Sequence, residues 1–125
     1  MNIKLTHQQY IAIMRILLDI IHADGRIDAR ETFFYDQLKD EFGFTQEDYQ
    51  TVEKKNSLLA LAQVKEMSED EKEYLAKLMS RMIIIDEDIN VNEVAIYELV
   101  CDFCGIKMPF NDIVGQDSAE SCAKS

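Results

Sequence analysis

The chain of 125 residues has no long hydrophobic run. No apolar segment approaches the ~20 residues that a helix needs to span a bilayer, so direct membrane insertion is not expected. The opening segment MNIKLTHQQY lacks the apolar core of a secretory signal. We therefore expect a cytoplasmic protein. Hydrophobic residues make up 47% of the chain, which is ordinary for a single packed domain.

Positive charge is also scarce. Thirteen lysines and arginines stand against 24 aspartates and glutamates, which gives a formal net charge of −11. Such an excess of acid argues against binding nucleic acid phosphates or anionic lipid heads. It is compatible with a cation or a basic protein partner, and equally with solubility alone. We expect a protein partner, and the sequence leaves the oligomeric state open.

Residues typical of catalytic sites are few. Three cysteines form an odd set in a chain without an export signal, so no disulfide framework is expected. The two histidines, His7 and His22, have no serine or cysteine neighbour at a spacing typical of a nucleophile and its base. There is no glycine-rich phosphate loop and no HExxH motif. The sequence thus nominates no catalytic residue and favours a non-enzymatic protein.

Capping residues and apolar spacing predict a helical chain. Thr6 begins a first helix that runs to about Ala23, with apolar residues every three or four positions. Most of the later helix starts carry an acidic residue three positions on, as in a capping box. These later starts are Asp28, Thr45, Asn56 or Ser57, Ser68 and Asn90. No strand pattern competes, so we predict an all-α compact bundle of about six to eight helices.

The predicted bundle occupies residues 1–114. It includes a short helical turn near residues 110–114, and residues 115–125 form a polar tail that we expect to be disordered. The helical spacing also predicts a core. The expected core residues are Leu17, Ile21, Ile27, Phe34, Leu38, Leu78, Ile83, Ile89, Ile96 and Val100.

An internal repeat organises the chain. Residues 14–45 recur in diverged form at residues 76–107, with a constant offset of 62. Each copy has the pattern of an apolar helix, a short acidic turn and a second amphipathic helix. We predict that the two helix pairs are related by a pseudo-twofold axis. Identical residues stand at Asp24 and Asp86, Ile27 and Ile89, Glu31 and Glu93, Tyr35 and Tyr97, and Gly43 and Gly105.

The acidic turns invite comparison with an EF-hand. Asp24, Gly25 and Glu31 match the fifth, sixth and twelfth positions of that loop. The first and third positions would then be Ile20 and His22, which supply no oxygen ligand suited to calcium. The second turn departs further from the pattern. We therefore reject a true EF-hand.

A shared cation site is still predicted if the two turns approach each other. Carboxylate and amide oxygens are hard donors suited to magnesium or calcium. The alternative is local, because an Asp or Asn followed three residues later by Glu has the spacing of a capping box and needs no ligand. The candidate metal ligands are Asp24, Asp28, Glu31, Asp86, Asp88, Asn90 and Glu93.

Cys101 and Cys104 form a CxxC pair, which alone is a weak signal. A zinc site needs a second pair of ligands, and a thioredoxin-type motif needs a βαβ setting. Cys104 corresponds to the apolar Phe42 in the first repeat, whereas Cys101 corresponds to Lys39. We therefore predict that Cys104 is a buried structural residue.

The string ADGRIDARE, placed after an apolar helix and followed by a helix that ends in FGF, resembles the TerB-like superfamily. The resemblance covers roughly residues 5–110. It implies an all-helical fold, an acidic surface that binds divalent metal, and a place in stress-response or membrane-associated assemblies. The family's acidic pattern falls on Asp24, Asp28, Glu31, Asp86 and Glu93.

The chain departs from that pattern in its second turn. Glu87 replaces the second glycine, and Asn90 replaces the second acid. The His-Pro-Asp motif of a J-domain is absent, so the resemblance does not extend to stimulation of Hsp70.

Three functions remain open at this point. The leading hypothesis is a non-enzymatic TerB-like adaptor that responds to a divalent cation. One alternative is a metal-dependent hydrolase that works on the acidic face. The other is a purely structural protein-interaction module without metal.

Overall fold

The computed structural model describes residues 4–23, 25–85 and 89–110, and over these ranges the chain is helical with no β-strand. The predicted all-α bundle is confirmed. Within the described ranges the helices are α1 (His7–Ile21), α2 (Ala29–Glu41), α3 (Gln46–Lys54), α4 (Ser57–Lys65), α5 (Glu69–Ile84) and α6 (Val91–Cys104). None of them is long and apolar enough to cross a membrane. Residues 111–114 of the predicted last turn and the predicted tail at 115–125 lie outside the described residues.

Helix α1 is the centre of the bundle and packs against all five other helices. Nine of its fifteen residues are buried. A helix surrounded in this way must be apolar on more than one face, and the sequence of α1 meets that requirement.

Polar side chains cap the start of every described helix. Reciprocal capping boxes form at α1, α3 and α5, where the Thr6, Thr45 and Ser68 hydroxyls accept from the chain three residues on. In each case the side chain at that third position accepts from the cap's own amide, so two first-turn donors are satisfied. At α4 the cap is Asn56. These contacts are local, which is why the sequence predicts them well.

A polar network holds α3 and α4 against α1. The Arg15 guanidinium donates to the carbonyls of Val52 and Glu53, at 3.3 and 3.0 Å, where α3 ends. A positive charge is favourable at the C-terminus of a helix. Asp19 accepts from Arg15 and from the Ser57 hydroxyl, the latter at 2.7 Å. The first turn of α4 is thereby fixed relative to α1.

The predicted core is largely correct. Phe34 and Ile96 are half-buried against the core, whereas Ile27 and Ile89 are 63% and 46% exposed, so their prediction as core residues is wrong. Both isoleucines precede the caps of α2 and α6, outside the helical repeat that turns one face to the core. The buried members of the predicted set are Leu17, Ile21, Leu38, Leu78, Ile83 and Val100.

The two repeat units share their local structure. Every position from 29 to 38 has the same burial as its counterpart from 91 to 100. Gly43 and Gly105 both adopt left-handed backbone, with φ of 71° and 73°, at the ends of α2 and α6. The next amide then returns to Lys39 O at 2.9 Å in one unit and to Cys101 O at 2.8 Å in the other, which closes the helix end. The pseudo-twofold axis that would relate the two units stays a prediction.

Candidate functional site

The caps of α2 and α6 form the described part of the two acidic turns. Asp28 Oδ1 accepts from the amides two and three residues ahead, at 2.8 and 3.4 Å. Asn90 Oδ1 does the same at 2.8 and 3.2 Å. Both caps have extended backbone, which directs the side chain over the first turn. One oxygen of each side chain is therefore already engaged by the helix that it starts.

Glu31 and Glu93 occupy the third position of α2 and α6 and are buried, with 1% and 3% exposure. Of the capping boxes predicted there, only the Asp28 and Asn90 halves are formed between described residues. Enclosing a carboxylate costs several kcal/mol, on the order of the effective desolvation penalty of one ion, unless donors or a positive charge offset it. The start of a helix supplies part of that offset through its dipole. These two glutamates are thus the points where the acidic turns meet the core.

Sequence reasoning did not predict this burial. The signal was present in the spacing, since Glu31 shares a helical face with Tyr35 and Leu38 at four and seven positions on, and both of these are buried. Glu93 stands in the same relation to Tyr97 and Val100. A charged residue on an apolar stripe, repeated in both copies, is the feature that could have revealed it.

Only some of the seven candidate metal ligands lie within the described residues. Asp24, Asp86 and Asp88 lie outside the described residues. Asp28 and Glu31 stand together in the first turn of α2, and Asn90 and Glu93 stand together in the first turn of α6. Within residues 4–23, 25–85 and 89–110, no group of three or more His, Cys, Asp or Glu side chains is placed to hold a metal ion.

Helices of the two repeat units pack against each other. Helix α2 of the first unit packs on α5 of the second, and α6 of the second packs on α1 of the first. Helices α2 and α6 therefore each contact both long helices, α1 and α5.

Electrostatics distinguish the two caps. A hydrogen bond from the Arg30 side chain, followed by the amides of the first turn, holds the pKa of Asp28 below its usual value. Asp28 is therefore ionised at neutral pH, and its Oδ2 lies 3.4 Å from Arg30 Nη2. Asn90 carries no charge at the equivalent position. The cap of α2 is thus a carboxylate paired with Arg30, whereas the cap of α6 is a neutral amide.

A cavity of about 550 Å³ opens beside α6 and is lined in part by Tyr97, Cys101 and Met108. Burial raises the pKa of Cys101 to about 11, and burial also raises the pKa of Cys104. Both thiols are free, buried and protonated at neutral pH, so neither is an activated nucleophile. The predicted burial of Cys104 is confirmed. Cys101 is buried as well, although its counterpart Lys39 is only half-buried.

Comparison with known proteins supports the fold. No protein-family model matches the chain, and no curated protein matches it. Among solved structures, the chain is similar to the crystal structure of a protein of unknown function from Porphyromonas gingivalis W83. The TM-score is 0.71 at 24% sequence identity, over 90% of this chain and 96% of that chain. At this identity the likeness shows a shared helical fold.

Proposed function

We propose that this protein is a non-enzymatic, TerB-like adaptor whose two acidic turns respond to a divalent cation, magnesium or calcium. The observation that carries the proposal is the burial of Glu31 and Glu93 at equivalent positions, each directly after an acidic turn. A divalent cation at these turns offsets the concentration of negative charge around a buried carboxylate. The donors there are hard oxygens, as magnesium and calcium prefer.

The packing of α2 and α6 supports a role as a responsive adaptor. Helices α2 and α6 start at the acidic turns, and both pack on α1 and α5. A cation bound at the turns favours the arrangement of these four helices that binds it best, which is how a ligand shifts a conformational equilibrium. The partner surface of the adaptor is then coupled to the cation.

The chemistry of the described side chains favours an adaptor over an enzyme. The two thiols are held neutral by burial, which removes them as nucleophiles. The resemblance to the TerB-like superfamily implies a place in a stress-response or membrane-associated assembly. We propose that the partner is a protein of such an assembly.

Calorimetric titration with Ca²⁺, Mg²⁺ and Mn²⁺, paired with thermal unfolding, tests the proposal. We expect binding heat with at least one ion and a rise in melting temperature, since saturation at a hundredfold excess over Kd stabilises the fold by about 2.7 kcal/mol. Asp40→Asn is the control, because this exposed acid lies on α2 away from its capped end. The control should keep the full response. The absence of both binding heat and a thermal shift at millimolar metal would refute the cation response.

A second candidate is a purely structural interaction module without metal. The caps favour it, since Asp28 and Asn90 each satisfy two first-turn amides. Helix capping of this kind needs no ligand. In that case substitutions at the turns change stability only, and added metal has no effect on any variant.

A further inference from the structure

The cavity beside α6 lies where residues 106–110 turn back along the helix. The first amide of this segment donates to the Cys101 carbonyl oxygen at 2.8 Å, and the Tyr97 hydroxyl donates to the Met108 carbonyl. The Phe110 ring packs edge-on against the Tyr97 ring, with 5.4 Å between their centres. These contacts hold the segment against α6, and side chains of both line the cavity of about 550 Å³.

The lining of this cavity combines apolar surface with charges at its exposed edge. Cys101 is a buried, neutral thiol, and Met108 adds apolar surface from the segment. The charged lining residues are Glu98 and Asp102, one turn apart on α6, and Lys107 on the segment. Two acids and one lysine give the lining a net charge of −1. The volume is typical of a small-molecule site, and the charge favours a cation.

The first repeat unit has the same pair of acids and supplies its own cation. Asp36 and Asp40 on α2 correspond to Glu98 and Asp102, and all four positions are exposed. Lys39 stands between the two acids of α2, and its ammonium lies 3.7 Å from the Asp36 carboxylate. The same ammonium lies 4.3 Å from the centre of a tyrosine ring of α3. The first unit therefore places an alkylammonium group between a carboxylate and an aromatic surface.

The second repeat unit carries a neutral residue at the position of that lysine. Cys101 corresponds to Lys39, and its side chain is both shorter and uncharged. Over the described ranges, neither Glu98 nor Asp102 forms an ion pair. The cavity thus opens beside two carboxylates at the place where the first unit has the stem and ammonium of a lysine.

The C-terminal end of α6 strengthens the preference for a cation. The helix dipole is negative at this end and favours positive charge. The last turn of α2 contains Lys39, whereas the last turn of α6 contains no basic residue and carries Asp102. Lys65 of α4 and Lys72 of α5 lie near the Cys104 thiol, and neither of them lines the cavity.

We propose that this cavity binds a small primary amine, whose ammonium group is held by Glu98 and Asp102. The alkyl chain of the amine packs on the apolar surface of Met108. The bound ammonium supplies the charge that Lys39 supplies in the first unit. A single positive charge on the ligand matches the net charge of the lining. This site is independent of the metal response, because it shares no residue with the acidic turns.

Titration of the ¹⁵N-labelled chain with n-butylammonium chloride, followed by its amide chemical shifts, tests the proposal. We expect saturable shifts centred on the cavity, at residues 97–102 and 106–109, with a Kd on the order of 1–10 mM for so small a ligand. Sodium n-butyrate has an alkyl chain of similar length and the opposite charge. At the same ionic strength it should produce no saturable shift.

The repeat supplies a matched pair of variants. Glu98→Gln combined with Asp102→Asn removes both carboxylates from the cavity and should weaken n-butylammonium binding at least about tenfold, as for loss of a hydrogen bond to a charged group. Asp36→Asn combined with Asp40→Asn removes the corresponding acids of α2 and should keep the wild-type affinity. All four positions are exposed, so both double variants should keep the circular dichroism spectrum and melting temperature of the wild type.

Three results would overturn the amine site. The first is the absence of saturable shifts with n-butylammonium. The second is equal binding of n-butyrate, or an affinity for n-butylammonium that is unchanged when Glu98 and Asp102 are both replaced. The third is binding of a lysine blocked at both its amino and carboxyl termini without binding of n-butylammonium, since the occupant would then be a side chain of another protein.

Discussion

The first helix pair, α1 with α2, and the second, α5 with α6, differ on their surfaces, although α2 and α6 bury the same positions over residues 29–38 and 91–100. Both bury a glutamate and a tyrosine four residues apart, Glu31 with Tyr35 and Glu93 with Tyr97. A shared burial pattern at a fixed offset means that packing constrains these positions in the same way in both copies. The surface has no such constraint, so each copy carries its own chemistry there.

The differences are chemical. The cap is charged at Asp28 and neutral at Asn90. One exposed side of the second helix is polar in α2 and apolar in α6.

Core truncation should have the largest effect and should affect both units alike. Leu17 and its counterpart Met79 are both fully buried. Leu17→Ala and Met79→Ala should each lower the free energy of unfolding by about 2–5 kcal/mol, the range for large-to-small changes in a core. Urea unfolding measures both. A cost below about 1 kcal/mol in either variant would show that the two positions are not equivalent.

Removing the hydroxyl group should change the free energy of unfolding differently at the two buried tyrosines, Tyr35 and Tyr97. The Tyr97 hydroxyl donates to the Met108 carbonyl, whereas the buried Tyr35 hydroxyl has no hydrogen-bond partner among the described residues. Tyr97→Phe should therefore cost about 0.5–1.5 kcal/mol. Tyr35→Phe should be neutral or stabilising, because it removes an unsatisfied buried polar group. Equal costs in chemical denaturation would contradict this difference.

Making the caps of α2 and α6 chemically alike should have the smallest effect on stability, and that effect should depend on pH. Asp28→Asn keeps an effective cap but removes the charge, which copies Asn90. The pKa of Asp28 is lowered in the folded protein from its ordinary value of 3.8. Its ionised form therefore contributes stability that is present above that value and is lost as the pH falls through the folded pKa.

Thermal unfolding of the wild type and Asp28→Asn at neutral pH and at about pH 3 measures this contribution. We expect a small advantage of the wild type at neutral pH that shrinks in acid. Asn90→Asp is the converse variant and should acquire a weaker pH dependence, because Asn92 stands where Arg30 bonds to Asp28. An advantage that grows in acid would contradict the cause assigned to the lowered pKa.

The sequence predicts what is local and misses what depends on tertiary contacts. Caps such as Thr6, Thr45 and Ser68 act within four residues, so their pattern is enough to place the helix starts. Ile27 and Ile89 are apolar, but they lie before the caps, where helical spacing says nothing about burial. The burial of Glu31 and Glu93 follows from how α2 and α6 pack on α1 and α5. The exposure of Leu99 and Phe103 likewise depends on which side of α6 meets its neighbours.

Metal titration of Glu31→Gln and Glu93→Gln decides whether the buried glutamates sense a cation. Glutamine serves a helix start as well as glutamate does, but it loses the charge and weakens oxygen donation to a cation. Because the first turn retains the charged Asp28, Glu31→Gln should reduce the metal-induced heat and thermal stabilisation more than Glu93→Gln. Equal and negligible effects of both changes would contradict the cation response and leave the two glutamates as structural residues only.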